Sequence, residues 1–357
     1  MPNNPILPLE RVNKTLCGDK PDKLPIMVAN SNTFICQYYG ITVEQFLNEP
    51  SLTAELTKKF IKEFEVDYCV IANGYILYGC GPELGVRWEF AGENFPGFVE
   101  GFLKSWDDLD KIKVPASPSG YFKNYLEMIR LITKELGDEV FLVASILGPF
   151  SIACFIRGIE QVLMDTMLDI DFFHAYMKGC TELSKYFGTH ILGTGLKIGL
   201  LNEIFLTPEM ISPVFYHSDI APYDREVQSY LGPQRAPNTL AAVMGRPDDP
   251  ISQKEGRYLY QALYGTTESV ETIRKAVRYR LPGFPFPVSI SGRALSNWSQ
   301  RELLHFLSEA LEYLVAGGGL YPAISLISVQ AESSEKAGEV ADKMKAIAEF
   351  RNQYEIG

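Results

Sequence analysis

A carboxylate at the end of an apolar run is the first residue in this chain whose type and position could do chemistry. The run LKIGLLNEIF reads as a buried strand closing on Asn202-Glu203, which places Glu203 where it could serve as a general acid or hold a metal. A helix-capping or surface carboxylate is the other reading of the same residue. His217 is the second acid–base candidate; it sits in a helical stretch beside Phe215 and Tyr216 and reads equally as a packing histidine. Asn30, Asn73, Asn202 and Asn238 stand at the ends of predicted strands, where they could hold polar substrate groups, although strand-end Asn also supports turns. Arg293, at the end of another strand, could meet a carboxylate or phosphate, or form a surface salt bridge. Tyr38, Tyr39, Tyr75 and Phe150 would line an aromatic cavity suited to a planar substrate, with core packing the alternative for each. Ser145, with Gly148 and Pro149, completes the set of candidate pocket residues.

The elements that must position these groups alternate between two periods. The stretch VFLVASILGPFSIACFIRG, residues 140–158, is a short buried strand, a Gly-Pro turn and the start of a helix. Beyond it, Ile159, Val162, Leu163, Thr166, Met167 and Ile170 fall on one helical face. The same strand–turn–helix order recurs. PIMVA, VDYCVIANG, VFLVAS, LKIGLLNEIF, PNTLAAVMG, YLYQALYG, FPFPVSISGR and residues 321–329 make eight strand candidates separated by amphipathic helices. Thr42 with Gln45, and Ser299 with Glu302, match capping boxes, and Ser51 reads as the opening of a further helix. Eight strand–helix units with no composition shift between them predict an α/β chain, a single (β/α)₈ TIM barrel domain over 1–357 with its ligand site at the C-terminal ends of the strands. Residues 1–24 read as an extended N-terminal lead-in, and Tyr75 to Pro115 as a long excursion after an early strand.

Composition narrows the partners. The chain has 357 residues, 46% of them hydrophobic, with no apolar run long enough to span a bilayer, and its net charge of -11 argues against nucleic acid. The first residues, MPNNPILPLERVNK, carry neither a basic start nor a continuous apolar region, so a cytoplasmic location is expected. Six cysteines, at 17, 36, 69, 80, 154 and 180, show no CxxC spacing and suggest reduced thiols. Gly79, Gly81 and Gly85 miss a dinucleotide fingerprint by one residue.

Several stretches, in order, resemble the uroporphyrinogen decarboxylase family, and more closely its corrinoid-dependent methyltransferase branch: YYGITVEQFLNEPSLTAELTKKFIKEFEVDYCVI, KSWDDLDKIKVP, LGPFSIACFIRG, LTPEMISPVFYHSDIAPY and LYGTTESVETIRKAVR. The resemblance implies a barrel that acts on tetrapyrroles or passes methyl groups to or from cobalamin. Two departures shape the expectation. The decarboxylases carry an Arg-containing segment after the first strand to hold substrate carboxylates, whereas NSNTFICQYY here has no Arg. The thiol-methylating relatives carry a His-x-Cys pair and a later Cys that bind zinc; with no Cys after Cys180, that zinc set is absent and any metal would need others, such as Glu203 with His217 or Asp219. Demethylating an ether or amine needs a leaving group improved by protonation or a Lewis acid, while a nucleophile such as Co(I) approaches in line. The resulting expectation is methyl transfer from a small methylated donor, an aromatic methyl ether among the candidates, to the cobalamin of a partner corrinoid protein. The base-off cobalamin pattern Asp-x-His-x-x-Gly does not occur in this chain, so the cobalamin comes with the partner. A homodimer is part of this reading; nucleic acid and membrane are not. The alternatives are a decarboxylase-type lyase and a non-catalytic ligand-binding barrel.

Overall fold

The computed structural model describes residues 6–71, 81, 84–91, 94–206, 210–232, 240–243, 269–277, 287–316 and 321–356. Nine strands are found among them. Seven form one parallel sheet: β1 (Ile26–Val28), β2 (Tyr68–Val70), β5 (Phe141–Leu147), β6 (Gly199–Glu203), β7 (Leu240–Val243), β8 (Pro287–Ser291) and β9 (Ala323–Ile327). Their spatial order is β7-β6-β5-β2-β1-β9-β8, the cyclic order of a (β/α)₈ barrel, with β7 and β8 as the two ends among the described residues. The expected strand YLYQALYG lies outside those residues. The other two strands, β3 (Arg87–Ala91) and β4 (Asn94–Glu100), pair antiparallel as a hairpin within the excursion after β2.

The sheet has an inner and an outer face, and the pairing register separates them. Met27 pairs with Tyr68, Tyr68 with Phe141, and Ser289 with Ser325, which in turn pairs with Met27. Met27, Tyr68, Val70, Phe141, Val143, Leu200 and Ala323 pack as one cluster with Val12, while the alternate residues Cys69, Leu142, Ala144, Ile146 and Leu201 join the large cluster under the helices. A period of two therefore assigns Ser145 and Asn202 to the inner face and Glu203 to the outer, helix-facing one.

The residues expected to be an extended lead-in instead form the helix Pro8–Cys17, whose Val12 joins the inner cluster from below. Pro8 falls in the first turn, where its missing N–H costs no bond, and Gly18 ends the helix at φ 80. The helix expected to open at Ser51 begins one residue earlier, at Pro50. Both capping boxes form, Thr42 with Gln45 and Ser299 with Glu302. The expected single face from Ile159 to Ile170 is broken into the helices Ile159–Leu168 and Ile170–Leu192, because Asp169 caps the second by accepting from Phe172 N at 3.1 Å. Val162 is buried, but Met167 is 84% exposed. Of the pair expected to continue that face, Met167 points to solvent and Ile170 is partly so.

Candidate functional site

The geometry around Glu203 is set by a helix that lacks its own cap. Gly148 is the N-cap of Pro149–Arg157 and has no side chain to accept a hydrogen bond; Pro149 follows at the first helical position. The carboxylate of Glu203 reaches across from β6 and does the capping: Oε1 accepts from Phe150 N at 2.9 Å, and Oε2 from Ser151 N at 2.7 Å and from Ser151 Oγ at 2.6 Å. Ser151 Oγ in turn accepts from Ile204 N at 2.8 Å, tying the helix start to the residue after the strand. Gly148 is required for this approach, since a Cβ there would lie 2.3 Å from the Glu203 carboxyl carbon.

Asp224, on the helix Ala221–Leu231, is the carboxyl group hydrogen-bonded to Glu203, and its Oδ2 accepts from Tyr216 OH at 3.2 Å. Both carboxyls are fully enclosed. Burial pushes Glu203 above the usual carboxylate range, although its Asp224, Ser151 and Phe150 partners pull it back. Asp224 is pushed well above its usual range, first by burial and then by the neighbouring charge of Glu203. Asp224 is therefore the member that keeps the shared proton, donating it to the carboxylate that the helix terminus stabilises. Sequence reading missed Asp224; the signal was its place on the apolar stripe Ala221, Asp224, Val227 and Leu231, all buried. The π turn Tyr216–Ile220, just ahead of Pro222, carries Tyr216 toward this pair.

This pair sets a pH dependence. Below about pH 4, folded and unfolded chains both protonate Asp224. As pH rises, the unfolded chain releases the proton while the folded chain retains it, so folding stability falls until the folded-state carboxyl ionises. Asp224→Asn keeps a donor toward Glu203 without the proton linkage. The expected outcome is that the variant gains on wild type between pH 5 and 8, where the difference in slope approaches ~1.4 kcal/mol per pH unit per proton. Urea unfolding at several pH values reads it, and parallel stability profiles would refute it.

The remaining candidates are dispersed. His217 is half-buried and lies edge-on to Tyr216, with ring centroids 5.2 Å apart, while the partner of Glu203 is Asp224. Asp219 Oδ1 lies 3.2 Å from His174 Nε2 and accepts from it when that nitrogen carries the proton, and His174 Nδ1 lies 2.9 Å from Tyr223 OH. The set Glu203, His217 and Asp219 does not converge: among the described residues no group of three or more His, Cys, Asp or Glu side chains could hold a metal. Burial pushes the thiols of Cys36 and Cys69 up to about 12 and those of Cys154 and Cys180 well above their ordinary value, as for thiols packed in a core. The residues present do not fit the zinc site of the thiol-methylating relatives.

Tyr38 does not face a ligand cavity. It stacks on Phe34 at 5.3 Å and donates to Glu63 at 2.7 Å, and Tyr39 donates to Glu63 at 3.1 Å, so both belong to the helical layer. Phe150 is likewise fully buried in the outer core. Asn30 follows β1; its Oδ1 accepts from Asn32 N at 3.4 Å and its carbonyl from Val329 N at 2.7 Å. Arg293 is exposed at the end of β8. Ser145 and Asn202 are fully buried on the inner face. Asn73, Tyr75 and Asn238 lie outside the described residues.

A family model described as uroporphyrinogen decarboxylase (URO-D) matches residues 7–242, more than half of the chain. The chain belongs to the uroporphyrinogen decarboxylase family. Within this family it is similar to a methylcobamide:CoM methyltransferase of Methanosarcina mazei, 22% identical over 234 residues, covering 62% of this chain and 65% of the relative. It is similar in the same measure to a uroporphyrinogen decarboxylase of Geobacter sulfurreducens, 23% identical over 249 residues, 62% of this chain and 66% of the relative. The matches thus span just under two thirds of these relatives' length. A solved methyltransferase structure from Methanosarcina mazei superposes with a TM-score of 0.73 at 16% identity, covering 98% of this chain and 99% of that one, which supports the TIM-barrel fold. No helix among the described residues is long and apolar enough to cross a membrane.

Proposed function

We propose that this member of the uroporphyrinogen decarboxylase family is a corrinoid-dependent methyltransferase, moving a methyl group from a small methylated donor to the cobalamin of a partner corrinoid protein. The observation that carries this reading is the absence of charge on the inner face. From β1 to β9, no inner-face position among the described residues of the seven parallel strands is charged, and the segment Asn30–Tyr39 after β1 holds no Arg or Lys. A substrate bearing eight carboxylates would have to shed its hydration there without a cation to receive it. A small methylated donor makes no such demand. The similarity to the methylcobamide:CoM methyltransferase supports the corrinoid partner.

Bound to its partner, the cobalamin would supply the methyl-accepting cobalt. The residues of this chain would bind and orient the donor and exclude water. Ser145 and Asn202 inside the barrel, Asn30 and Arg293 at strand ends, and Asn73, Tyr75 and Asn238 are the binding residues of this proposal. Glu203 acts by positioning the start of the helix after β5. A cytoplasmic location and a homodimer belong to the same proposal, the former supported by the free thiols at Cys17, Cys36, Cys69, Cys154 and Cys180.

Mixing the protein with a corrinoid protein reduced to Co(I) and a series of methyl ethers and methylamines is expected to give the methylcobalamin absorption spectrum with at least one donor. No methylcobalamin with any donor, together with carbon dioxide release from uroporphyrinogen, would replace this reading with the decarboxylase one.

A further inference from the structure

Two polar side chains on the inner face are sealed from solvent with nothing to bond to. Asn202 is fully buried, and neither its Oδ1 nor its Nδ2 meets a hydrogen-bond partner; Ser145 is fully buried, and its Oγ is likewise unpartnered. Buried amides and hydroxyls in this condition are rare, and they mark places where water or a ligand completes the bonding. These two are neighbours. Ser145 pairs with Leu200, and Leu147 with Asn202, so Asn202 lies one strand across and two residues further toward the C-terminal ends. That offset is roughly 6.6 Å of rise and roughly 4.8 Å of lateral spacing, a gap that one small molecule can bridge. The offset runs toward the C-terminal ends of the strands, where barrels of this class bind their ligands.

We propose that Asn202 and Ser145 form a neutral anchor for the buried end of the methyl donor. The anchor selects an uncharged molecule with a hydrogen-bond acceptor beside a donor, as in the ether oxygen and adjacent hydroxyl of a 2-methoxyphenol. This inference rests on the methyl-transfer reading and specifies its donor class. The amide donates from Nδ2 to the ether oxygen and accepts the hydroxyl proton at Oδ1, while Ser145 Oγ bonds either group from the neighbouring strand. Among the described residues of the inner face a carboxylate entering here would meet no cation, and a methylammonium no carboxylate. The nearest acid in sequence, Glu203, faces the opposite side, where Phe150 and Ser151 hold it.

Isothermal titration of the protein alone, without corrinoid, tests the anchor with three probes: 2-methoxyphenol, 2-methoxybenzoate and tetramethylammonium. The first is expected to bind about tenfold or more tightly than the others, and Asn202→Leu to weaken it by about tenfold or more, because a site built to hydrogen-bond discriminates strongly once that bond is removed. Ser145→Ala is expected to weaken it by roughly threefold to tenfold, and neither variant to lower the unfolding midpoint, since each removes an unsatisfied buried group. No binding of 2-methoxyphenol, equal or tighter binding of a charged probe, or binding unchanged in Asn202→Leu would overturn the proposal. So would loss of the folded state in both Asn202→Leu and Asn202→Ser, which would make the amide a structural group. Methylcobalamin formed from a charged donor would leave the methyltransferase reading standing and remove this inference alone.

Discussion

Glu203→Ala is expected to cost about 3–5 kcal/mol of folding stability, because it leaves two backbone N–H groups and the Ser151 hydroxyl without their acceptor at a buried helix start. Glu203→Gln should fall between wild type and alanine: its carbonyl can serve one side, while its amide N–H₂ would face a donor. The cost is charge-assisted at both ends, since the helix N-terminus favours a negative group there and Asp224 supplies a proton to it. Urea unfolding reads the stability, and methyl transfer measured on the folded fraction reads the chemistry. If Glu203 positions the helix, activity per folded molecule declines only in proportion to the disturbance of Phe150 and Ser151. A variant that folds with less than ~1 kcal/mol lost and has no activity would instead restore Glu203 as a reacting acid.

Asp67→Ala is the second change expected to be severe, again about 3–5 kcal/mol, because two buried guanidinium groups would each lose their most deeply buried carboxylate partner. Asp67 sits immediately before β2 and accepts from Arg11 Nη1 at 2.5 Å, Arg351 Nη1 at 2.7 Å and Ile26 N at 2.8 Å. Arg11 also forks onto Asp22 with two bonds of 2.7 Å, and Arg351 reaches Glu65. The network joins the helix Pro8–Cys17 and the last helix, Ala337–Gln353, to the lower end of the sheet, with the Arg351 side chain fully buried. Removing Asp67 alone takes one carboxylate from each of two buried guanidinium groups, leaving Arg11 with Asp22 and Arg351 with Glu65, and deprives Ile26 N of its acceptor. The combined variant Arg11→Met, Asp67→Leu, Arg351→Met should recover most of the loss, since apolar groups of similar volume replace the three buried members and the remaining carboxylates, Asp22 and Glu65, reach solvent. Chemical unfolding of the single and triple variants checks this; a triple variant no more stable than Asp67→Ala would show that the charges themselves hold the chain ends.

The alternation of periods in this sequence was enough to place the seven described strands of the parallel sheet. A buried strand between amphipathic helices is a local pattern, written in residues such as Phe141 to Ser145 and Tyr125, Met128, Ile129 and Ile132, the last four all buried. Capping is equally local, which is why Thr42 with Gln45 and Ser299 with Glu302 were legible three residues apart. The lead-in was misread for a complementary reason: Pro and Asn in residues 1–24 suggested no element, but Pro8 is harmless in the first turn and Val12 is buried against the sheet. Met167 and Ile170 had the right spacing for a buried face, yet Asp169 between them ended one helix and capped the next.

Which face a strand residue takes was decided by tertiary structure alone. Asn202 and Glu203 are consecutive and looked equally suited to the strand end; a pleat sends the first into the barrel and the second under the helices. The glycine at 148 then determined what Glu203 does, because a helix start with no capping side chain draws in the nearest carboxylate. Asp224 lies 21 positions later in the chain and could become its proton-sharing partner only once two helices and β6 had packed together. The order and period of the strands and most helices depend on residue type and spacing, and the chain alone carried them. The pairing of acids, the orphaned amide and the direction each faces depend on which groups the packed fold takes away from water, and no spacing along the chain encodes that.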